Sequence, residues 1–327
     1  MSNLVTIYGG SGFLGRYIAR RMAKQGWRVR VAVRHPNEAL FVRPYGVVGQ
    51  VEPVLCNIRD DASVQSAMAG ADAVVNCVGI LSERGRNKFE EVQAEGAGRV
   101  ARIAAQEGVA RLVHVSAIGA DENAESDYSR TKAMGETAVL GAFPGAVILR
   151  PSVMFGPEDS FFNRFAGLTR FGPVLPTVGA RTKFQPVYVD DVAQAAAMAI
   201  VGAAEPGLYE LGGPDVKTMR ELLEDMLAVI HRRRLVLNLP FWMASIDAGI
   251  LDLVQKISGG LVHNSLLTKD QVRSLKVDNV VGDSARTFAD LNTNPVDMAS
   301  VLPDYLWRFR PSGQYDAIKD SARNLGA

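Results

Sequence analysis

The chain has 327 residues, of which 47% are hydrophobic and 22% charged, and its formal net charge at pH 7 is +1. This balance indicates an ordered globular protein and excludes a general electrostatic attraction to nucleic acid. The only cysteines, Cys56 and Cys77, fall near the predicted ends of different strands, which indicates a reducing compartment rather than a disulfide framework. We see no secretory or transit segment and no apolar run of membrane-spanning length, so we expect a cytoplasm-like environment.

The first half of the sequence alternates predicted strands and helices. Helical spacing of Leu14, Ile18 and Met22 follows the first strand, and residues 97–106 form another helical stretch. Strands are expected at 4–8, 27–33, 51–56, 73–78, 111–115 and 146–149. Such alternation is typical of right-handed βαβ units. The sequence therefore predicts an α/β fold with a Rossmann-type doubly wound parallel sheet and a smaller C-terminal lobe.

The pattern changes near Arg150, where prolines and glycines mark loops. We expect residues 1–150 to form the NADP(H)-binding Rossmann domain, with 183–213 returning to it. Residues 151–182 and 214–327 would form the smaller lobe.

One segment of that lobe has two interpretations. In residues 231–257, three arginines at 232–234 precede an apolar helical face. The face carries Met243, Ile246, Ile250, Leu253 and Ile257, after Phe241 and Trp242. The segment fits either a helix packed on the core or a docking surface with a basic edge.

The loop between the first strand and the first helix is rich in glycine. Its spacing, Gly9-x-x-Gly12-x-x-Gly15, permits a tight turn, a close approach of the backbone to pyrophosphate, and close packing of the helix on the strand. The sequence therefore predicts that this loop binds a dinucleotide. The loop residues are Gly9, Gly10, Ser11, Gly12, Phe13, Leu14, Gly15 and Arg16.

The end of the second strand indicates which dinucleotide. Arg34 stands where an NAD-preferring site usually offers a carboxylate to the ribose 2′-hydroxyl, and an arginine there accommodates a 2′-phosphate. No acidic residue competes at this position, and Arg16 could join Arg34. We therefore predict a preference for NADPH over NADH.

The loop and several later motifs together resemble the extended short-chain dehydrogenase/reductases. The motifs are Asn57-Ile58, Asn76-Cys77-Val78-Gly79, Tyr128-Ser-Arg-Thr-Lys132, and residues 150–156 and 186–191. The resemblance implies that Asn57 and Ile58 flank the adenine and that Cys77, Val78 and Gly79 line the cofactor. It also implies that Tyr128 and Lys132 are the acid/base tyrosine and its lysine. We expect Ser116, Pro151 and Val153 at the cofactor as well.

The catalytic set of that family is incomplete here. A lysine one helical turn from a tyrosine favours the phenolate, so Tyr128 and Lys132 could transfer protons. The family's serine or threonine position falls on Ala117, however, and Ser116 would face the other side of the strand. We therefore interpret Tyr128 and Lys132 as vestigial catalytic residues that bind ribose.

The stretches GGSGFLGRY, VSAIGAD, YSRTKAMGE and LRPSVMFGPEDSFFNRF, with residues 266–281, resemble an atypical branch of the family. That branch contains the nucleotide-binding accessory subunit of respiratory complex I (NADH:ubiquinone oxidoreductase). The resemblance implies a structural NADPH and other complex I subunits as partners. It also implies a peripheral place on the cytoplasmic face of a bacterial inner membrane, or on the matrix side of the mitochondrial inner membrane.

A different class of function stays open. The chain could be a free-standing NADP-dependent reductase or nucleotide-sugar epimerase that uses Tyr128 and Lys132. The four histidines show no metal-ligand spacing, and the pair Asp190-Asp191 is expected to cap the following helix rather than to bind a metal.

Overall fold

The computed structural model describes residues 2–243, 268–311 and 313–315. The strands are β1 (Leu4–Tyr8), β2 (Arg28–Val33), β3 (Val51–Leu55), β4 (Ala73–Asn76), β5 (Arg111–Val115), β6 (Val147–Pro151), β7 (Met154–Phe155), β8 (Val174–Val178), β9 (Lys183–Phe184), β10 (Val187–Tyr188), β11 (Gly207–Leu211), β12 (Lys217–Thr218) and β13 (Leu235–Leu239). The α-helices are α1 (Phe13–Lys24), α2 (Asp61–Met68), α3 (Glu95–Gln106), α4 (Asp127–Ala142), α5 (Phe162–Leu168), α6 (Val189–Val201), α7 (Met219–Val229), α8 (Lys269–Ser274) and α9 (Met298–Leu306). A 3₁₀ segment (Pro36–Tyr45) follows β2, and a π-helical turn (Glu90–Ala94) precedes α3.

A seven-stranded parallel sheet forms the centre, in the order β11-β6-β5-β4-β1-β2-β3. The chain runs outward from β1 to β3 and then returns to place β4 on the other side of β1. The loops after β1 and β4 therefore diverge at the carboxyl ends of their strands and leave a crevice there. This topology confirms the predicted doubly wound α/β fold.

The strands form where apolar runs can be buried on both faces of the sheet. All five residues of β1 are buried, and two separate hydrophobic cores cover the two faces. One core contains Ile18 and Met22 of α1, whose predicted helical spacing places them against the sheet. A third core, centred on Phe162, Leu222 and Leu302, holds α5, α7 and α9 together.

The predicted strand boundaries agree with the structure to within two residues. β11 lies in the central sheet beside β6, whereas the proposed division into two lobes stays a prediction. Of the apolar face expected in 231–257, only Met243 lies within the described residues; Ile246, Ile250, Leu253 and Ile257 lie outside them. No helix in the described ranges is long and apolar enough to cross a membrane.

The expected capping role of Asp190 and Asp191 is wrong. Helix α6 begins earlier, at Val189, and no side chain caps it. Asp190 instead forms a bidentate ion pair with Arg21 of α1, at 2.8 Å for both contacts. Asp191 accepts a hydrogen bond from the backbone N–H of Val296. The two carboxylates therefore bond groups outside α6 instead of capping the N–H groups of its first turn.

Candidate nucleotide-binding site

The glycine loop runs from the end of β1 into α1 as a tight turn. The N–H of Gly9 donates to the Ala32 carbonyl and the N–H of Gly12 donates to the Gly9 carbonyl, both at 2.9 Å. Gly9 has a φ of +73°, a conformation that side chains disfavour. A Cβ on Gly15 would lie 2.5 Å from the Gly9 carbonyl oxygen. The predicted glycine spacing is therefore required by the path of the backbone itself.

Helix α1 begins immediately after this turn. Gly12 is its N-terminal cap residue and contributes no side-chain hydrogen bond. The first N–H groups of the helix, together with its dipole, thus suit an anionic group such as pyrophosphate. Arg16 donates to the carbonyls of Ser11 and Gly12 and lies 3.6 Å from Glu158, so it holds the loop from the side.

A cleft of about 310 Å³ opens at the carboxyl ends of β1 to β4. Nine of the predicted cofactor residues line it: Gly9, Ser11, Gly12, Arg34, Asn57, Ile58, Cys77, Val78 and Gly79. The other predicted residues are not among its lining: Gly10, Phe13, Leu14, Gly15, Arg16, Ser116, Tyr128, Lys132, Pro151 and Val153. Gly10 and Gly15 permit the tight turn itself: a Cβ on Gly10 would lie 3.0 Å from the Ile7 carbonyl oxygen.

Arg34 lines the cleft together with other polar side chains. Arg59 and His35 line the same cleft, and Arg59 is fixed there by a 2.7 Å bond to the Arg86 carbonyl. Arg16 is hydrogen-bonded to the loop carbonyls, and the expectation that it joins Arg34 stays a prediction. Glu38, in the 3₁₀ segment after β2, also lines the cleft, so the cleft contains a carboxylate that the sequence analysis did not expect.

The two cysteines lie at the same edge of the sheet and are both free thiols. Burial raises the pKa of Cys56 to about 11 and that of Cys77 to about 12. Both side chains are therefore protonated at neutral pH, and they contribute surface to the cleft rather than a reactive thiolate.

Tyr128 and Lys132 lie on α4, beyond the end of the cleft. Lys132 is buried, and its Nζ donates to the Val115 carbonyl at 3.1 Å. A Cβ on Gly79 would lie 3.3 Å from that Nζ, so the ammonium reaches the wall of the cleft. The ring of Tyr128 packs edge-on against Phe89, with 6.1 Å between centroids.

The interpretation of Tyr128 and Lys132 as vestigial catalytic residues stays a prediction, and burial perturbs both groups. Burial raises the pKa of Tyr128 to about 12, and the same cause lowers the pKa of Lys132 to about 8. Removing the two groups from water disfavours both charged forms. The phenol is therefore protonated at neutral pH, and the lysine hydrogen bonds to the backbone.

The segment after β5 explains why Ser116 does not replace the missing hydroxyl. The N–H groups of Ser116 and Ile118 donate to successive carbonyls of β6, at Leu149 and Pro151. Ala117 between them therefore faces the opposite side of this extended segment. Ser116 is buried, and its Oγ has no hydrogen-bond partner in the part of the chain that the structure describes.

Gln93 is a candidate site residue that the sequence analysis missed. It is buried in the π-helical turn before α3, and its Nε2 donates to Thr131 Oγ1 at 3.3 Å. Its Oε1 has no partner among the described residues and lies 3.7 Å from the position of a Cβ on Gly79. A buried acceptor and the Lys132 ammonium thus meet at one point of the cleft wall. Other lining residues missed from sequence are Tyr8, Ala32, Val33, Ile80, Asn87 and Val92.

The C-terminal segment holds α4 in place from outside. The carboxylate of Asp270 in α8 accepts bonds from Ser126 Oγ and from the N–H groups of Asp127 and Tyr128. Asn279 accepts from Ser152 Oγ and the Val153 N–H, and it donates to the Ile118 carbonyl. The segment that resembles the complex I branch therefore fixes the Tyr128 end of the site.

The polar groups of the site have no metal-binding arrangement. No cluster of three or more His, Cys, Asp or Glu side chains occurs in residues 2–243, 268–311 and 313–315. His114 is buried next to Asn76, and burial lowers its pKa to about 3, so its imidazole is neutral. What the cleft offers is a backbone cradle, arginines and apolar walls.

The family model described as the NAD dependent epimerase/dehydratase family matches residues 5–212. The chain belongs to this family. A solved structure with the same fold is the NADPH-dependent quinone oxidoreductase of Escherichia coli complexed with NADPH. It is 18% identical, with a TM-score of 0.70, and the match covers 92% of this chain and 99% of that one. A nicotinamide dinucleotide is therefore the cofactor class that this fold holds.

Two of the curated relatives that match in sequence illustrate the range of the family. One is NADH dehydrogenase [ubiquinone] 1 alpha subcomplex subunit 9, mitochondrial, of Arabidopsis thaliana, which is 36% identical over 95% of this chain and 79% of its own length. The other is a ceramide reductase of Caulobacter vibrioides, which is 32% identical over 76% of this chain and 75% of its own. The predicted resemblance to a complex I subunit is thus confirmed, and the family also includes reductases.

Proposed function

We propose that this protein is an accessory subunit of respiratory complex I that holds NADPH as a structural nucleotide. Its contribution would be to assembly and stability rather than to turnover. The observation that carries the proposal is the contrast within the site: the glycine loop, Arg34 and Gly79 line a nucleotide-sized cleft, whereas Ala117 stands where the family's substrate-holding hydroxyl is expected. The similarity to a named complex I subunit, over 95% of the chain, supports the choice of complex.

The residues of the cleft fit NADPH as follows. The glycine loop and the start of α1 would hold the pyrophosphate, and Arg34, with Arg59 nearby, would bind the 2′-phosphate. Asn57 and Ile58 would flank the adenine. Lys132 and Tyr128 would hold the nicotinamide ribose, and the unpartnered Gln93 Oε1 fits a hydroxyl at the same place. When bound, the nucleotide would supply a hydride and the Tyr128 phenol a proton, whereas Ala117 supplies no hydroxyl to hold a substrate oxygen.

The proposal includes a location and partners. Other subunits of complex I would bind this chain, which would lie peripherally on the cytoplasmic face of a bacterial inner membrane or on the matrix side of the mitochondrial one. Named mitochondrial relatives support the complex, and the choice of face follows from the family resemblance. In either case the site would brace the fold through nucleotide binding.

Replacing Tyr128 by phenylalanine tests the proposal, because it keeps the ring and removes the phenolic proton. We expect native-gel migration within the large complex, NADH:quinone activity of membranes and NADPH content to stay close to wild type. Loss of one ribose hydrogen bond would cost about 1 kcal/mol at most. Abolished activity with NADPH bound and the complex intact would show that the tyrosine performs chemistry.

The second candidate is a free-standing NADP-dependent reductase or nucleotide-sugar epimerase. The intact Tyr128–Lys132 pair and the ceramide reductase relative favour it. It predicts a small soluble species that oxidises NADPH with a carbonyl substrate and loses that activity in Tyr128→Phe. Migration as a small species, together with such turnover, would replace the first proposal by this one.

A further inference from the structure

Arginine side chains gather at one end of the C-terminal lobe, around the buried Phe309. The guanidinium groups of Arg170 and Arg308 lie 5.0 Å and 5.3 Å from the centre of that ring. Arg232 donates to the Phe309 carbonyl, and Arg234 donates to the Thr169 carbonyl. We call this group the arginine cluster; it comprises Arg170, Arg232, Arg233, Arg234, Arg308 and Arg310.

Within the described residues, no carboxylate forms an ion pair with the arginine cluster. Its hydrogen bonds go to backbone carbonyls and to the Asn163 amide oxygen. None of the ion pairs in residues 2–243, 268–311 and 313–315 includes a member of the cluster. The arginine Arg150, by contrast, is paired with both Glu136 and Glu210.

Burial and the charges of the cluster both lower the pKa of Arg232. Partial burial lowers its pKa, and the neighbouring charges of Arg234 and Arg170 lower it further. Since the whole chain has a net charge of only +1, the rest of the molecule is net negative and the cluster is a strong local exception. A cluster of this kind attracts a polyanionic partner.

An exposed apolar face begins directly beside the cluster. Strands β8 and β13 pair in parallel, with Leu235 opposite Val174, and they point Leu175 and Val236 into the core. The opposite face carries exposed side chains, which are Val174, Pro176, Leu235 and Leu237. Because strand side chains alternate, this two-stranded sheet is apolar on the face that meets solvent as well as on the face that meets the core.

Aromatic side chains lie at both ends of this face. Phe171, which is 87% exposed, lies in the loop before β8 beside Arg170. Trp242, which is 65% exposed, follows β13. Large apolar side chains that are exposed next to a basic edge are typical of surfaces that enter the headgroup region of a bilayer.

We propose that the arginine cluster and the outer face of β8 and β13 bind directly to a membrane that contains anionic phospholipid. The phosphates would lie on the guanidinium groups, and Phe171, Leu235 and Trp242 would enter the boundary between headgroups and acyl chains. A lipid surface fits better than an acidic protein, because lipid phosphates can move to guanidiniums anchored at separate carbonyls, and because the apolar side chains need an apolar partner. This goes beyond the proposed function, in which the complex alone supplies the membrane contact.

Flotation of the full-length protein with vesicles tests the proposal. We expect binding to phosphatidylcholine vesicles that contain phosphatidylglycerol, and not to phosphatidylcholine alone. Salt should weaken the binding. The double variant Arg170→Gln/Arg233→Gln removes two exposed charges of the cluster. We expect the partition coefficient onto the vesicles to fall about fivefold for each charge removed. Leu235→Ser/Leu237→Ser should weaken binding with the charges unchanged.

A matched control is Arg28→Gln/Arg43→Gln, which removes two exposed arginines from the Rossmann half and should bind like wild type. Absence of wild-type binding to anionic vesicles would overturn the proposal, as would an equal loss in the control. If the cluster variant still floats but leaves the large native complex, the cluster binds an acidic protein instead. A lower melting temperature of the serine variant, with lost flotation, would show that another part of the chain covers this face.

Discussion

The ammonium of Lys132 should make the stability of the nucleotide-free protein depend on pH. Burial lowers its pKa from 10.5 to about 8, a shift that corresponds to about 3 kcal/mol of penalty for the charged form. Because the folded pKa lies below the unfolded value, the unfolded chain binds more protons between these two values. The penalty is fully present below about pH 8 and disappears as the pH rises towards 10.5.

The perturbation that isolates this effect is Lys132→Met, which keeps the length of the side chain and removes the charge. Other groups also titrate in alkaline solution. Burial raises the pKa values of Cys56 and Cys77, so ionisation of these thiols in the unfolded chain lowers the free energy of unfolding as the pH rises. The informative quantity is therefore the difference between wild type and variant, measured by urea denaturation at pH 7.5 and at pH 9.5.

Between pH 7.5 and pH 9.5, we expect the free energy of unfolding of wild type to rise by about 2 kcal/mol relative to that of Lys132→Met. Saturation with NADPH should reduce the change, because the ribose hydroxyls would stabilise the ammonium and raise its pKa. A difference that is independent of pH would refute the reasoning, since it would show that Lys132 is as well solvated in the folded protein as in the unfolded chain.

Three further predictions concern the nucleotide and its support. Arg34→Glu should reverse or abolish the preference for NADP(H) over NAD(H) in calorimetric titration; equal affinity of the wild type for both would contradict the assignment. Gly12→Val should exclude the pyrophosphate and so remove the stability that the bound nucleotide adds. That stability is about 2.7 kcal/mol when the free nucleotide is at 100 times its dissociation constant. A variant that stays nucleotide-free yet is as stable and as well assembled as wild type would rule out a bracing role. Asp270→Ala should cost about 1 kcal/mol through lost capping of α4, and Ser300→Ala, at an exposed position in the first turn of α9, is the control; an unchanged denaturation midpoint of Asp270→Ala would show that water replaces the cap.

The parts of the site that could be predicted from sequence are those set by short stretches of chain. The glycine loop is one, because its tight turn and the start of α1 are set by the glycine spacing within residues 9–15. Arg34, Asn57 and Gly79 are others, since each follows the end of a strand, and the carboxyl ends of parallel strands meet at one edge. The same reasoning located the strands, whose apolar runs are buried on both faces.

The residues that sequence analysis missed reach the site through three-dimensional packing. Arg59 is carried over the cleft by its bond to the Arg86 carbonyl, and Glu38 arrives through the fold of the 3₁₀ segment. Gln93 lies in a π-helical turn, whose extra residue per turn changes which side chains face inward. No periodicity of the sequence contains this information, because a regular helix would distribute the same residues differently.

The protonation of Tyr128 is the clearest case in which a motif and its environment disagree. The spacing of tyrosine and lysine requires only one turn of α4, and that turn is present. The state of the phenol depends instead on how much water the surrounding elements remove, and here burial raises its pKa to about 12. Asp270 contributes to this arrangement from the far end of the chain, by bonding the N–H of Tyr128 itself. The C-terminal segment therefore fixes the position of the acid/base motif, and the absence of a hydroxyl at Ala117, not the protonation of Tyr128, is the feature on which the proposed retention of a nucleotide without turnover rests.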